Sequence, residues 1–190
     1  MLMLDECHLR WGDACGYAWG PMDRRLVIPI SNVRERQTYY GALNLLTGHV
    51  TVWEASAGNA ENTVAFLTYL RQCFQGRRLL ICWDGARYHT AQLVQEYLAD
   101  IQGPDCPEAH RRIHLIRFAP YAPVQNPVED VWLAGKRAIR RAWFQLKTFQ
   151  DAKAIFTHTI THQQFVSEKL NWYGRNELIQ LRRERGYQWE

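Results

Sequence analysis

Two hydrophobic periods follow one another along the chain. Up to about residue 55, apolar residues fall in short runs that suit strands: Met1–Cys7, Tyr17–Trp19, Leu26–Ile30, Tyr39–Leu45 and Val50–Glu54. Gly20-Pro21 and Thr47-Gly48 mark turns between them, and Leu43–Val52 reads as a hairpin. The spacing then becomes helical. Asn59 is a suitable N-cap, and Val64, Phe66, Leu67, Leu70 and Phe74 recur on one helical face up to Gly76. Leu79–Trp83 is apolar on both faces, as a buried central strand should be, and it stops at Asp84-Gly85. A helix from about Thr90 to Ile101 and a strand over Ile113–Phe118 come next, then a proline-punctuated loop over 119–125. Asn126-Pro127 opens a long helix to about Leu146, with Asn at the N-cap and Pro at the first helical position. Two more helices are predicted over 149–168 and 174–185.

Opening hairpins followed by strand–helix alternation imply an α/β protein with a mixed sheet flanked by helices. An RNase H-like mixed β-sheet flanked by α-helices has this order of elements, as do several other α/β folds. At 190 residues the chain suits one domain with a real core. No apolar run approaches the roughly 20 residues that span a bilayer, and Met1–Leu4 meets Asp5 too early for a signal peptide. A cytoplasmic protein without membrane contact is expected. Five scattered cysteines without a C-x-x-C pair argue for reduced thiols. Cys106, His110 and His114 have a zinc-like spacing, but no further cysteine pair completes four ligands, so an ordinary surface loop is the better reading.

Charge changes the picture through its distribution. Residues 1–135 hold 12 basic and 14 acidic residues, whereas 136–190 hold 11 basic and 5 acidic ones. The last third is therefore the part expected to meet a polyanion, with a solvated helical surface as the plain alternative.

Carboxylates stand where chemistry is usually housed. Asp5 lies near the end of the first predicted strand and Asp84 just past the most buried one; strand carboxyl ends gather functional groups in open α/β sheets. At about 100° per residue, Val128, Gly135, Ile139, Ala142 and Leu146 form the arc facing the sheet, and Glu129, Lys136 and Arg140 share an adjacent stripe. A carboxylate in the first turn with cations further along would set metal and phosphodiester side by side. Simpler roles stay open: a capping box for Asn126–Glu129, turn chemistry for Asp84-Gly85 and a surface strand end for Asp5.

Three segments taken together, "DECHLRWGDACGYAWGP", "ICWDGARYH" and "APYAPVQNPVEDVWLAGK", resemble the catalytic blocks of DDE transposases of the mariner-like group, especially the bacterial insertion-sequence branch. The resemblance spans roughly residues 1–147, leaving 148–190 as a C-terminal helical extension of the same domain. It implies an RNase H-like core in which Asp5, Asp84 and Glu129 are catalytic and hold two Mg²⁺ or Mn²⁺ ions. His89 and Asn126 would stand beside the site, and Glu6 and Asp130 would be neighbours that point elsewhere. The implied activity is metal-dependent cleavage and strand transfer of mobile-element DNA. Lys136, Arg137, Arg140 and Arg141, with Arg182, Arg183 and Arg185, would contact phosphates of the element ends and target. Trp132 and Trp143 are better read as packing residues than as stacking platforms. Gly85 replaces the asparagine common in the group, and the Gly103–Arg112 stretch lengthens the spacing from Asp84 to Glu129. Relatives carry helix-turn-helix segments upstream of the first catalytic strand. None is in this sequence, which implies a separate polypeptide for end recognition, a split reading frame or a truncated copy. Paired element ends imply a homodimer. Other readings are a catalytically idle relic that binds DNA or regulates an intact transposase, and an RNase H-like nuclease such as a ribonuclease H or junction resolvase.

Overall fold

The predicted short strands and the apolar Leu79–Trp83 run assemble into one sheet. The computed structural model describes residues 1–15, 19–24, 34–103, 105–119 and 123–186. Its strands are β1 (Leu2–Arg10), β2 (Arg36–Asn44), β3 (Val50–Ala55), β4 (Leu79–Trp83) and β5 (Ile113–Arg117), arranged β3-β2-β1-β4-β5. The first three pair antiparallel, whereas β1, β4 and β5 are parallel neighbours. The helices are α1 (Ala60–Cys73), α2 (Gln92–Gln102), α3 (Val128–Arg141), α4 (Phe149–Thr161), α5 (Glu168–Asn171) and α6 (Arg175–Glu184).

Strand alternation divides the core in two. Leu2 and Leu4 of β1 and Ile81 and Trp83 of β4 pack with Phe66, Leu67 and Leu70 of α1 and Val94 of α2. Met3, Cys7 and Leu9 face the other way and join Val131, Trp132 and Ile139 of α3 with Phe156 and Ile160 of α4. Leu170 of α5 is buried in that same cluster. Helices α3 and α4 approach closely because Gly135 has no side chain: a Cβ there would stand 2.6 Å from the Phe156 ring. Asn59 caps α1 by accepting the Asn62 amide at 2.9 Å, and Gly48 turns the β2–β3 hairpin at φ +71°.

Several boundaries differ from expectation. Strand β1 runs to Arg10 instead of Cys7, because β2 pairs with it along its whole length and His8, Leu9 and Arg10 keep the polar–apolar alternation. Asp5 is thus mid-strand in chain position. The helix predicted over 149–168 ends at Thr161, and a short α5 follows after a break. Helix α3 stops at Arg141, five residues early, and Trp143–Gln145 continues as a 3₁₀ turn. Its cap is Pro127, although Asn126 still caps with its side chain, accepting the Val128 amide at 3.2 Å. The predicted strand Leu26–Ile30 and Tyr17 lie outside the described residues, and Trp19 is in no regular element. No described helix is long and apolar enough to cross a membrane.

Candidate active site

Register brings the first two carboxylates together. Strands β1 and β4 are parallel with Met3 opposite Cys82, and just past the end of β4 the Asp84 carboxylate stands within electrostatic reach of Asp5. The third arrives through Asn126, which is buried and donates to the Leu4 carbonyl at 3.4 Å while capping α3. This ties the first turn of α3, with exposed Glu129, to the strand position next to Asp5. Burial foremost, then the negative charges of Glu129, Glu6 and Asp84, pushes the Asp5 carboxyl up to about 8. Asp5 is steadied by the Trp132 indole, whose Nε1 donates to Oδ2 at 2.9 Å. The Trp132 ring fits because residue 41, opposite Asp5 on β2, is glycine; a Cβ there would stand 2.3 Å from the ring.

A second set of bonds holds Asp84. The fully buried His89 ring stacks on Trp83, with centroids 4.3 Å apart. Its Nδ1 is 3.0 Å from Asp84 Oδ1 and its Nε2 is 2.9 Å from Glu6 Oε1. Ionised carboxylates only accept hydrogen bonds, so both ring nitrogens donate and the ring is an imidazolium. Burial alone would lower its pKa, but the bonds to Asp84 and Glu6 outweigh that and raise it to about 9. The bond from His89 in turn holds Asp84 below the ordinary carboxylate range. Tyr88 donates its hydroxyl to the other oxygen of Glu6 at 3.1 Å. The Ala86 amide also bonds Asp84 Oδ1, at 2.9 Å, so the turn role considered for Asp84 is present too.

The remaining lone pairs define what this end of the sheet can bind. Among the described residues, Asp84 Oδ2, Asp5 Oδ1 and both oxygens of Glu129 accept no hydrogen bond. Glu129 does not close the capping box considered for it. Three carboxylates with unshared oxygens are the donor type that hard divalent cations favour. They gather without closing on one point: no three described His, Cys, Asp or Glu side chains converge closely enough to hold an ion. That holds for Cys106, His110 and His114 as well, where His114 lies 3.8 Å from Glu108 instead.

Beside these carboxylates runs a groove of about 440 Å³, lined among others by Glu6, Asp13, Glu129, Trp132 and Lys136. Lys136 reaches Asp13 at 3.5 Å, and Arg140 donates to the Asp13 carbonyl. Arg137 and Arg141 are exposed. Arg182 stands elsewhere, within electrostatic reach of Met1 and Arg77, beyond the start of β1 and β4; Arg183 and Arg185 are exposed in the same segment. Asp130 points away to Lys169, at 2.8 Å. Trp132 is core, whereas Trp143 is 45% exposed.

A model of the DDE superfamily endonucleases matches residues 1–155. The chain belongs to that family. As a DDE endonuclease it shares its fold with RNase H-like transposase cores of known structure. The Mos1 mariner paired-end complex with Mn aligns at TM-score 0.60 and 13% identity, over 93% of this chain and 52% of that one. The catalytic domain of Mos1 mariner transposase aligns at 0.52 and 14%, over 93% and 76%. A chain of the simian T-cell lymphotropic virus intasome complex aligns at 0.56 and 13%, over 88% and 50%. The DDE endonuclease thus spans about half the length of the chains in those complexes. No curated protein matches its sequence.

Sequence reasoning passed over two groups in this endonuclease. Glu6 is more than a neighbour of Asp5: it points to the opposite sheet face and there holds His89. Trp132, read only as packing, also donates to Asp5. The alternation Leu4-Asp5-Glu6-Cys7 carries the first signal, since it sends adjacent acids to opposite faces.

Proposed function

We propose that this chain cleaves and joins DNA strands, with Asp5, Asp84 and Glu129 as the carboxylates that hold divalent metal. The observation that carries this reading is that carboxylates from three distant segments lie within electrostatic reach at one end of the sheet, each with an oxygen that no described residue bonds. The Mn named in one Mos1 mariner complex supports it. Bound there, two Mg²⁺ or Mn²⁺ ions would activate water or a DNA 3′-hydroxyl and stabilise the leaving oxygen of an in-line displacement.

The protein's own work is positioning. Trp132 fixes one oxygen of Asp5 and leaves the other open. His89 and the Ala86 amide do the same for Asp84, and Glu6 with Tyr88 keeps the His89 ring from turning. Asn126 sets the height of Glu129 above the strand, and the exposed Glu129 side chain is the one that would supply the third carboxylate. Lys136 and Arg140 flank the groove beside the carboxylates, where a phosphodiester would lie. Mobile-element ends and target DNA are the substrates that the family and the fold favour. Paired ends would call for two copies, with a helix-turn-helix polypeptide or segment for end recognition.

The test is Mn²⁺ binding by electron paramagnetic resonance alongside nicking of supercoiled plasmid. Wild type should bind Mn²⁺ and nick, and Asp84→Asn should lose both while remaining folded by circular dichroism. Unchanged Mn²⁺ binding by that variant would overturn the site assignment. Metal binding without any nicking would favour the idle-relic reading.

A further inference from the structure

The opposite end of the sheet carries the reverse charge. Strands β4 and β5 are parallel with Leu79 opposite Ile113. Just before these two strands stand Arg77 and Arg78 on one segment and Arg111 and Arg112 on the other, and the Leu79 amide bonds the Arg112 carbonyl at 2.8 Å. Like charges on adjacent strands, about 4.8 Å apart, repel one another. All four residues are exposed, so core packing does not explain their clustering. Between Arg77, Arg112 and Arg71 of α1 lies a groove of about 330 Å³ with no carboxylate in its lining. Thr68 and Arg71 both bond the Tyr97 hydroxyl, which anchors that wall. None of the ion pairs among the described residues engages Arg71, Arg111 or Arg112. Arg78 donates to the Ala109 carbonyl, and Glu108, an acid of the same loop, faces His114. Arg182 of α6 adds a further cation near Arg77.

We propose that this arginine cluster is a second nucleic-acid site, which grips the phosphodiester backbone of duplex DNA with Arg71, Arg77, Arg111 and Arg112. The inference rests on the DNA-processing reading above. It adds a contact on the far side of the sheet from the reacting groups. From Leu79 to Asp84 the strand spans about 16 Å. Planar guanidinium groups suit phosphate oxygens bidentately, and the glutamine amides of Gln72 and Gln75 line the same groove.

Salt dependence tests it. Binding of a fluorescent 30-base-pair duplex is measured by anisotropy in EDTA, which removes any metal contribution, over a series of salt concentrations. Each phosphate contact contributes about 0.9 to the slope of log K against log salt. Arg77→Gln/Arg111→Gln/Arg112→Gln should lower that slope by about 2–3, and Asp84→Asn should leave it unchanged. Arg111→Glu/Arg112→Glu should weaken binding further, with circular dichroism checking that both variants fold. A triple variant with the wild-type slope overturns the proposal and leaves the carboxylate assignment standing. Wild type without duplex binding sinks both this proposal and the DNA-processing reading. Wild-type binding of inorganic phosphate, lost in the triple variant without any change in its duplex slope, would make the cluster a free-phosphate site and also overturn the proposal.

Discussion

The two ends of one sheet follow opposite electrostatic logic. At the end where Asp5, Asp84 and Glu129 gather, Asp5 is partly buried and held by an indole, Asp84 is half-exposed and held by an imidazole and a backbone amide, and Glu129 is exposed. At the other end, arginines are exposed, and the neighbours at Arg111 and Arg112 have no acidic partner among the described residues. The first arrangement is rigid and suits a compact cation, whose ligands must be aimed. The second is open and suits a polyanion, whose charges repeat along a backbone and need no single geometry. Burial separates the two. An uncompensated carboxylate inside the protein must find a proton or a cation, whereas an exposed guanidinium stays hydrated and charged.

The sharpest way to break this contrast is to loosen the restrained end alone. Glu6→Gln removes the negative charge that faces His89 and turns one acceptor oxygen of the His89–Tyr88 pair into a donor, without touching Asp84. Mn²⁺ affinity should fall about 10–100-fold, as for other partners that orient metal ligands, with the salt slope of duplex binding unchanged. Equal Mn²⁺ affinity in wild type and Glu6→Gln would show that the His89 bridge does not aim Asp84. Gly41→Ala should have a smaller, structural effect, since the new methyl would press on the Trp132 ring. A loss of about 1–3 kcal/mol in urea unfolding is expected for such overpacking. Weaker Mn²⁺ binding should accompany it as Trp132 shifts from Asp5, and a variant as stable as wild type would contradict the packing described.

The two ends also differ in their response to pH. The folded-state pKa of His89 is raised to about 9 from 6.5, so its contribution to stability is complete below pH 6.5 and is lost as pH rises through about 9. Asp5, raised to about 8 from 3.8, acts in the same direction: its contribution is complete below pH 3.8 and is lost as pH rises from there to about 8. The melting temperature should therefore decline between about pH 6.5 and 9. Arginines do not titrate in that window, so the arginine end adds nothing to the decline, and the Arg77→Gln/Arg111→Gln/Arg112→Gln variant should keep it. A melting temperature that rises over this range would contradict the bridged His89.

Much of the architecture was legible along the chain. Periodicity located every described strand and the helices α1 to α3, since burial on one face leaves a period in the sequence. It also located α6 and the start of α4, but it missed the break after Thr161 and the short α5, because no Gly or Pro announces that break. The arginine end was hidden for a related reason. Residues 1–135 are slightly acidic as a segment, yet Arg71, Arg77, Arg78, Arg111 and Arg112 all belong to them. Counting charge by segment cannot see a cluster made by pairing β4 with β5.

The sequence by itself determined the residue types of the site, the strand that carries Asp5, the apolar strand before Asp84 and the capped helix whose first turn carries Glu129. Local chemistry suffices for these, because propensity, period and capping act over a few residues. Only the tertiary structure decided that Glu6 grips His89 from the reverse face, that a glycine on β2 admits Trp132, and that arginines 34 residues apart, such as Arg78 and Arg112, become neighbours. Those facts depend on strand order and register. Both follow from how the whole core packs, and neither leaves a periodic trace in the chain.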